Sequence, residues 1–293
     1  MNPLAGSRFY VNPDSAAARQ AREWQYSNPA GASQMRYLAA QPTAMWLGEW
    51  NANVGEDVRA LVEKAQAAGS VPTFIAYAIP QRDCGGYSSG GTNNPSAYKQ
   101  WIGEVAAGIG HGSAVVILEP DSLAQITCLS SNDQAARLAL LSDAVSVLKK
   151  NSGTKVYIDA GHSLWIDAGT MANRLSRAGI AAADGFALNV SNFVRTDDEI
   201  AYGTAVSDKT GGKHFVIDTA RNGNGSNGEW CNPAGRAVGN RPTTNTGRAR
   251  VDAFLWLKVP GESDGTCNGG PSAGTWWPSY AVGLMQNAGI AGL

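Results

Sequence analysis

Glu119-Pro120-Asp121 ends an unbroken β-type apolar run, Ala114 to Leu118, so two carboxylates stand where a buried strand must stop. A carboxylate at such an edge can give or take a proton, but a single one is as readily a solvated loop acid. Repetition decides between these readings. Thr43–Leu47 leads to Trp46, Glu49 and Trp50; Thr73–Ile79 leads through Tyr77 to Arg82 and Asp83. Lys155–Ile158 leads to Asp159, His162 and Trp165; Gly185–Val190 to Asn189 and Asn192; His214–Ile217 to Asp218, Arg221 and Asn222. Ala253–Val259 leads to Lys258, Glu262 and Asp264. Acids that recur with tryptophans and amides suit glycoside hydrolysis: two carboxylates flank the scissile bond, aromatic faces stack on sugar rings, and amides bond hydroxyls. Glu119 and Asp121, two apart on an extended segment, share a side, and an interior Glu119 needs a hydrogen-bonded partner.

The elements that must position these residues follow from the same runs. The seven apolar segments alternate little, as strands buried on both faces do. Between them Val54–Ala68, Ala97–Ile109, Gln134–Lys150, Ala168–Ala178 and Asp197–Val206 carry the helical period. Asn132 and Asp133 read as a helix start, Thr196 with Glu199 as a capping box, and Gly69, Gly153 and Gly179 as helix ends. Strand and helix in strict alternation predict a parallel sheet, and seven units without a linker predict a closed or nearly closed β/α barrel. Such a barrel builds its site from the loops after the strand C-terminal ends, where the residues above fall. The expectation is an α/β single catalytic domain over residues 1–293, with no binding module or linker.

The composition fits a compact exported protein: 293 residues, 16% charged, 35 glycines and 9 tryptophans. A net charge of −1 argues against nucleic acid, and no long apolar span argues for a membrane. Cys84, Cys128, Cys231 and Cys267 show no C-x-x-C spacing, so an oxidised secreted chain is expected rather than a zinc or thioredoxin-type site. Three pairings are open; nearest-neighbour pairing would close loops of about forty residues, each worth roughly 4 kcal/mol in the chain-entropy view. Met1–Leu4 has neither a basic nor an apolar leader region, which reads as a mature catalytic unit whose signal has been removed. Acids interleaved with tryptophans, without a D-x-D loop, predict no metal and no cofactor.

Two motif matches lack their structural context. Gly86-Tyr87-Ser88-Ser89-Gly90 fits G-x-S-x-G, but no strand runs into Ser88. Gly223, Gly225 and Gly228 fit G-x-G-x-x-G, yet Glu229-Trp230-Cys231-Asn232-Pro233 follows in place of a helix. A serine esterase using Ser88 with His162 or His214, and a binding protein without activity, are the rival classes.

Taken in order, the stretches Tyr77–Gly85, Val116–Leu123, Asp159–Trp165, Asn189–Phe193, Asp218–Gly223 and Lys258–Gly265 closely resemble glycoside hydrolase family 6, the inverting cellulases, particularly actinobacterial ones. The resemblance spans about Phe9 to the C-terminus and implies a distorted TIM-like barrel with an open cleft. It implies Asp121 as the proton donor, Asp83 as the loop carboxylate that keeps the donor's pKa high, and Asp264 as the candidate base. Tyr77 would lie beneath the distorted sugar, with Asp159 as a supporting acid. Trp46, His162, Trp165, Asn189, Trp230, Lys258 and Glu262 would bind sugar, and Cys84–Cys128 and Cys231–Cys267 would be the disulfides. The implied activity is endo-β-1,4-glucanase, since only about a dozen residues separate Asp264 from Trp276, too few for a long roof loop; cellobiohydrolase is the alternative. The implied partner is β-1,4-glucan, bound by a monomer.

Overall fold

A computed structural model describes residues 1–290. Seven parallel strands run in sequence order: β1 (Met45–Leu47), β2 (Thr73–Ala76), β3 (Ala114–Leu118), β4 (Thr154–Asp159), β5 (Gly185–Leu188), β6 (His214–Asp218) and β7 (Val251–Leu255). The outer helices are α1 (Ala16–Glu23), α2 (Pro29–Ala39), α3 (Val54–Ala67), α4 (Pro95–Ile109), α5 (Ser131–Leu148), α6 (Ala168–Arg177), α7 (Thr196–Lys209) and α8 (Pro278–Asn287). The sheet curls into a half-barrel. β1 and β7 do not pair, but the Ala44 N–H donates to the Trp256 carbonyl (3.2 Å) and the Trp46 indole to the Leu257 carbonyl (2.9 Å) across the seam. The expected β/α barrel of seven parallel strands is therefore present in distorted form, as a half-barrel whose seam these two bonds bridge.

The period of two sorts each strand between two cores. Ile75, Val115, Ile117, Tyr157, Ala187, Val216 and Ala253 form the inner cluster. Phe74, Val116, Leu118, Val156, Ile158, Phe186, Leu188, Phe215 and Ile217 face the helices. Phe186 and Phe215, paired in register on β5 and β6, stack at 5.1 Å. A third cluster joins Met35, Leu38, Leu284 and Met285 of α2 and α8 to Trp256.

Several boundaries differ from the sequence reading. β2 stops at Ala76, short of Ile79, because the Ala78 and Ile79 N–H groups donate to the Glu119 carboxylate (3.0 and 3.1 Å). β7 stops at Leu255, short of Val259, because the Leu257 and Lys258 N–H groups donate to the Asp218 carboxylate (3.2 and 3.0 Å). The cap of α5 is Ser130, whose Oγ accepts from the Asp133 N–H (3.2 Å); Asn132 and Asp133 lie in the first turn. The capping box at α7 does not form: Thr196 is already helical, and Glu199 bonds instead to the distant Ser163 N–H (2.9 Å). Gly69 and Gly179 follow α3 and α6 with positive φ, as expected, whereas Gly153 ends no helix and sits against the Gly112 carbonyl. Helices α1, α2 and α8 lie where no helix was read; Ser15, Asn28 and Pro278 mark their starts.

Candidate active site

Asp121 lies three residues past Leu118, the last residue of β3, on backbone held at φ 69°. Its N–H donates to Asp159 Oδ2 (2.9 Å), which also accepts the Gly161 N–H (3.1 Å). Burial raises the Asp121 carboxyl well above the ordinary aspartate range, and the charges of Asp159 and Asp83 raise it further. Asp159, fully buried, is itself pushed up to about 7 by burial, against the two N–H bonds that favour its ionised form. One member of this pair therefore keeps a proton at neutral pH.

Asp83 comes from the loop after β2 and is gripped on both oxygens, by the Ser88 N–H (2.8 Å) and by the Gln125 side-chain amide (3.1 Å). Gln125 in turn donates its backbone N–H to the Asp121 carbonyl (2.9 Å), so one turn of chain links the two acids. Arg82 holds the base of the loop. It pairs with Glu49 (3.1 Å through Nη2), donates to the carbonyls of Tyr77 (2.7 Å) and Ser88 (2.8 Å), and lies over the Tyr77 ring at 4.6 Å. Tyr77 meets Trp46 edge-on at 5.2 Å. Burial and the nearby Asp121 and Asp83 hold the Tyr77 phenol well above its ordinary pKa, so it is a neutral hydroxyl.

On the opposite wall Asp264 is buried and ionised. Burial works to raise its pKa, but Arg221 (Nη1 at 2.9 Å) and Lys258 (3.6 Å) outweigh it, and the Asn232 N–H donates to the same Oδ2 (3.0 Å). Glu262, beside Lys258, is raised by burial. Lys258 and Arg221 thus form a cationic floor beneath two carboxylates.

The loop after β4 brings His162 and Trp165 together at 5.5 Å, with Trp165 and Leu164 exposed. Burial lowers the His162 pKa to about 4, so the imidazole is neutral; its Nδ1 accepts the Leu164 N–H (3.3 Å), which leaves Nε2 as the donor. Trp230 is also exposed, at 54%, on the loop after β6. Asn189 is placed differently. It is fully buried, and its amide is committed to both backbone groups of Val194 and to the Asp218 carbonyl (3.0 Å). Asn189 shapes the wall and presents no group to the cleft.

Glu119 is a supporting acid. Its carboxylate, pushed up to about 7 by burial, accepts the Ala78 and Ile79 N–H groups and the Tyr98 hydroxyl (2.9 Å). Glu49, read at the end of the first strand, is here the partner of Arg82; Gln125, Asn232 and Tyr98 carry no site motif in the sequence, and only Gln125 leaves a signal, its four-residue spacing from Asp121. Both disulfides match the implied pairing, Cys84–Cys128 and Cys231–Cys267. Among the described residues no three His, Cys, Asp or Glu side chains gather as a metal cage. The esterase reading finds no Ser–His pair among the described residues: His214 opens β6 at the other end of the strands and bonds Asp252 (2.7 Å), and His162, at the same end as Ser88, is bonded to the Leu164 N–H (3.3 Å) and not to Ser88. No helix follows Gly223–Gly228.

Fold and site together define a β/α half-barrel with a carboxylate cluster at the strand C-terminal ends. The chain belongs to Glycosyl hydrolases family 6, whose profile matches residues 4–288. It is 45% identical over 289 residues to Endoglucanase A of Cellulomonas fimi, covering 98% of this chain and 62% of that protein, so it spans less than two thirds of that relative. The solved endoglucanase Cel6 of Mycobacterium tuberculosis, in complex with a methyl-cellobiosyl-4-deoxy-4-thio-β-D-cellobioside, is similar at 47% identity and a TM-score of 0.95, covering 99% of this chain and 100% of that one. The 1,4-beta-D-glucan cellobiohydrolase C of Emericella nidulans matches at 31% over 362 residues, covering 98% of this chain and 78% of that protein.

Proposed function

We propose that the chain is a secreted endo-β-1,4-glucanase that hydrolyses internal bonds of cellulose and related β-glucans with inversion. The observation that carries this reading is the placement of Asp121 just past β3, where burial and the charges of Asp159 and Asp83 raise its carboxyl well above the ordinary aspartate range. Asp121 gives its proton to the glycosidic oxygen as the bond to the anomeric carbon breaks. A water attacks from the opposite face, and its proton leaves toward the ionised acids. Asp264 faces that side, but Arg221 and Lys258 hold its proton affinity low, so it suits orienting and relaying better than strong base catalysis. Tyr77 and Trp46 floor the sugar before the scissile bond, His162 offers Nε2–H to a hydroxyl, and Trp165 and Trp230 give stacking faces, with Lys258 and Glu262 bonding hydroxyls.

The endo mode is supported by the loop after Asp264. It folds back on itself through the Glu262–Trp276 bridge and the Ser263–Thr275 and Gly274–Ser263 backbone bonds (2.9 Å each), and so builds no roof. The cellobiohydrolase match needs 362 positions to align, more than the 293 residues of this chain, so that relative carries insertions absent here. Export is supported by the two disulfides.

Asp121→Asn tests the assignment, with an expected fall in turnover on unactivated cello-oligosaccharide of at least about a hundredfold and little change in binding. Retained turnover would overturn it. Proton NMR of the first product from cellopentaose is expected to give the α-anomer, and substituted cellulose is expected to lose viscosity early. Cellobiose accumulating at nearly constant viscosity would reject the endo mode in favour of the exo alternative.

A further inference from the structure

The loop from Asp83 to Gly91 is held in two places of different character. Its base is stapled by Cys84–Cys128 and by the polar grip of Arg82 on Glu49 and Tyr77, and Arg82 also reaches the Ser88 carbonyl (2.8 Å) next to the tip. Its tip packs on the loops that follow β6 and β7. There the Tyr87 ring lies 5.9 Å from the Trp230 ring, tilted by 49°. The seat beneath it is Gly265: a Cβ on that residue would fall 2.6 Å from Tyr87 Cγ, and its φ of 159° is one that side-chain-bearing residues rarely adopt. Only a glycine leaves this seat open.

The two ends of the contact adjoin the chemistry. Tyr87 precedes Ser88, whose N–H holds Asp83 Oδ2, and Gly265 follows Asp264. The loop also wraps Asp83 closely, since a Cβ on Gly86 would lie 2.4 Å from Asp83 Oδ2. A shift of the tip must therefore shift the carboxylate. With Gly85, Gly86, Gly90 and Gly91 in the segment, the backbone has little stiffness of its own to resist such a shift. The ring is half exposed at 51%, so its contribution is contact with one wall rather than core burial.

We propose that Tyr87 is a positioning residue: seated on Gly265 and Trp230, it clasps the loop to the loops after β6 and β7 and so holds Asp83 in place near Asp121. The proposal rests on the reading of Asp121 as proton donor and Asp83 as the carboxylate that raises its pKa. Asp83 near Asp121 keeps the donor protonated to higher pH; a displaced Asp83 lets it ionise earlier. The clasp thus acts on turnover and on the basic limb of the pH profile, while Trp46 and the cationic floor continue to bind sugar.

The test uses the whole chain with Tyr87→Ala, Tyr87→Phe and Asp121→Asn, measured on cellopentaose across pH, with kcat taken per folded molecule by near-ultraviolet circular dichroism. Tyr87→Ala is expected to lower kcat by about tenfold with KM nearly unchanged, as a small misplacement of a reacting group does. Its basic limb is expected to move to lower pH by about half a unit. Tyr87→Phe keeps the ring and is expected to match the parent chain. A parental kcat and basic limb in Tyr87→Ala would overturn the clasp, as would a change confined to KM, or Tyr87→Phe as damaged as Tyr87→Ala. Full turnover by Asp121→Asn would instead overturn the underlying reading of the reaction, whatever Tyr87 does.

Discussion

Asp121 illustrates how a single proton is placed by its surroundings. An aspartate in water titrates near 3.9, and nothing in its own chemistry makes it an acid catalyst at neutral pH. Burial supplies the first part of the shift, and Asp159 and Asp83 supply the rest by making a third negative charge costly. Asp159→Asn removes one of those charges while its remaining carbonyl oxygen can still accept the Asp121 N–H. The Asp121 pKa then falls, the proton is lost earlier as pH rises, and the basic limb of kcat on soluble substituted cellulose is expected to move down by about one unit. An unmoved limb would mean that Asp159 has no electrostatic hold on the donor. Of these residues the sequence disclosed the types and the order, because six separate stretches carry them. It disclosed Asn189 but not that the Asn189 amide is turned into the wall by its bonds to Val194 and the Asp218 carbonyl, nor Gln125 and Asn232, whose roles exist only once distant loops meet.

At the scale of elements, buried carboxylates terminate the sheet. Glu119 takes the N–H groups that would have continued β2, and Asp159 takes those of Asp121 and Gly161. Asp218 takes four, from Ser191, Ala220, Leu257 and Lys258. Each replaces ladder partners with an acceptor, so the backbone can turn into the site without orphaned donors. Non-glycine residues with positive φ gather in these same loops, among them Asp83, Glu119, Asp121, Asn189 and Ser191, as expected where backbone strain supports a site. Asp218→Asn turns one acceptor into a donor facing N–H groups and is expected to cost about 2–4 kcal/mol in chemical denaturation while lowering affinity through the displaced Lys258. Stability equal to the parent chain would show that the ladder alone ends the strands. The same feature explains which boundaries were legible. β3 is read to the residue because its apolar run meets its carboxylate at once, whereas β2 and β7 look three to four residues too long because apolar side chains continue after the ladder has stopped. Helices α1, α2 and α8 are not legible in the sequence because they pack on the third cluster, outside the strand–helix alternation.

For the whole molecule, the charge pattern of the site sets the pH at which the fold is most secure. Burial pushes Glu119, Asp159 and Glu199 up to about 7. Between their unfolded values near 4 and those folded values the native state holds more protons than the unfolded chain, so this contribution is present in acid and is lost as pH rises toward 7. His162 acts the other way: lowered by burial to about 4, it favours the fold as pH rises from 4 to its ordinary 6.5. Asp264, held below the usual range by Arg221 and Lys258, adds to that opposing side only in strong acid. With Asp121 and Glu262 raised in the same direction, the buried acids outnumber His162 and dominate across the mildly acidic range. The midpoint of thermal unfolding is therefore expected to fall as pH is raised from 5 to 8, and Glu199→Gln, which stays neutral beside Ser163, is expected to make that decline shallower. Melting temperatures recorded by circular dichroism at half-unit intervals check both. A midpoint that climbs steadily from pH 5 to 8 would mean that the buried carboxylates ionise freely in the native state, and with them the acid on which the proposed chemistry depends.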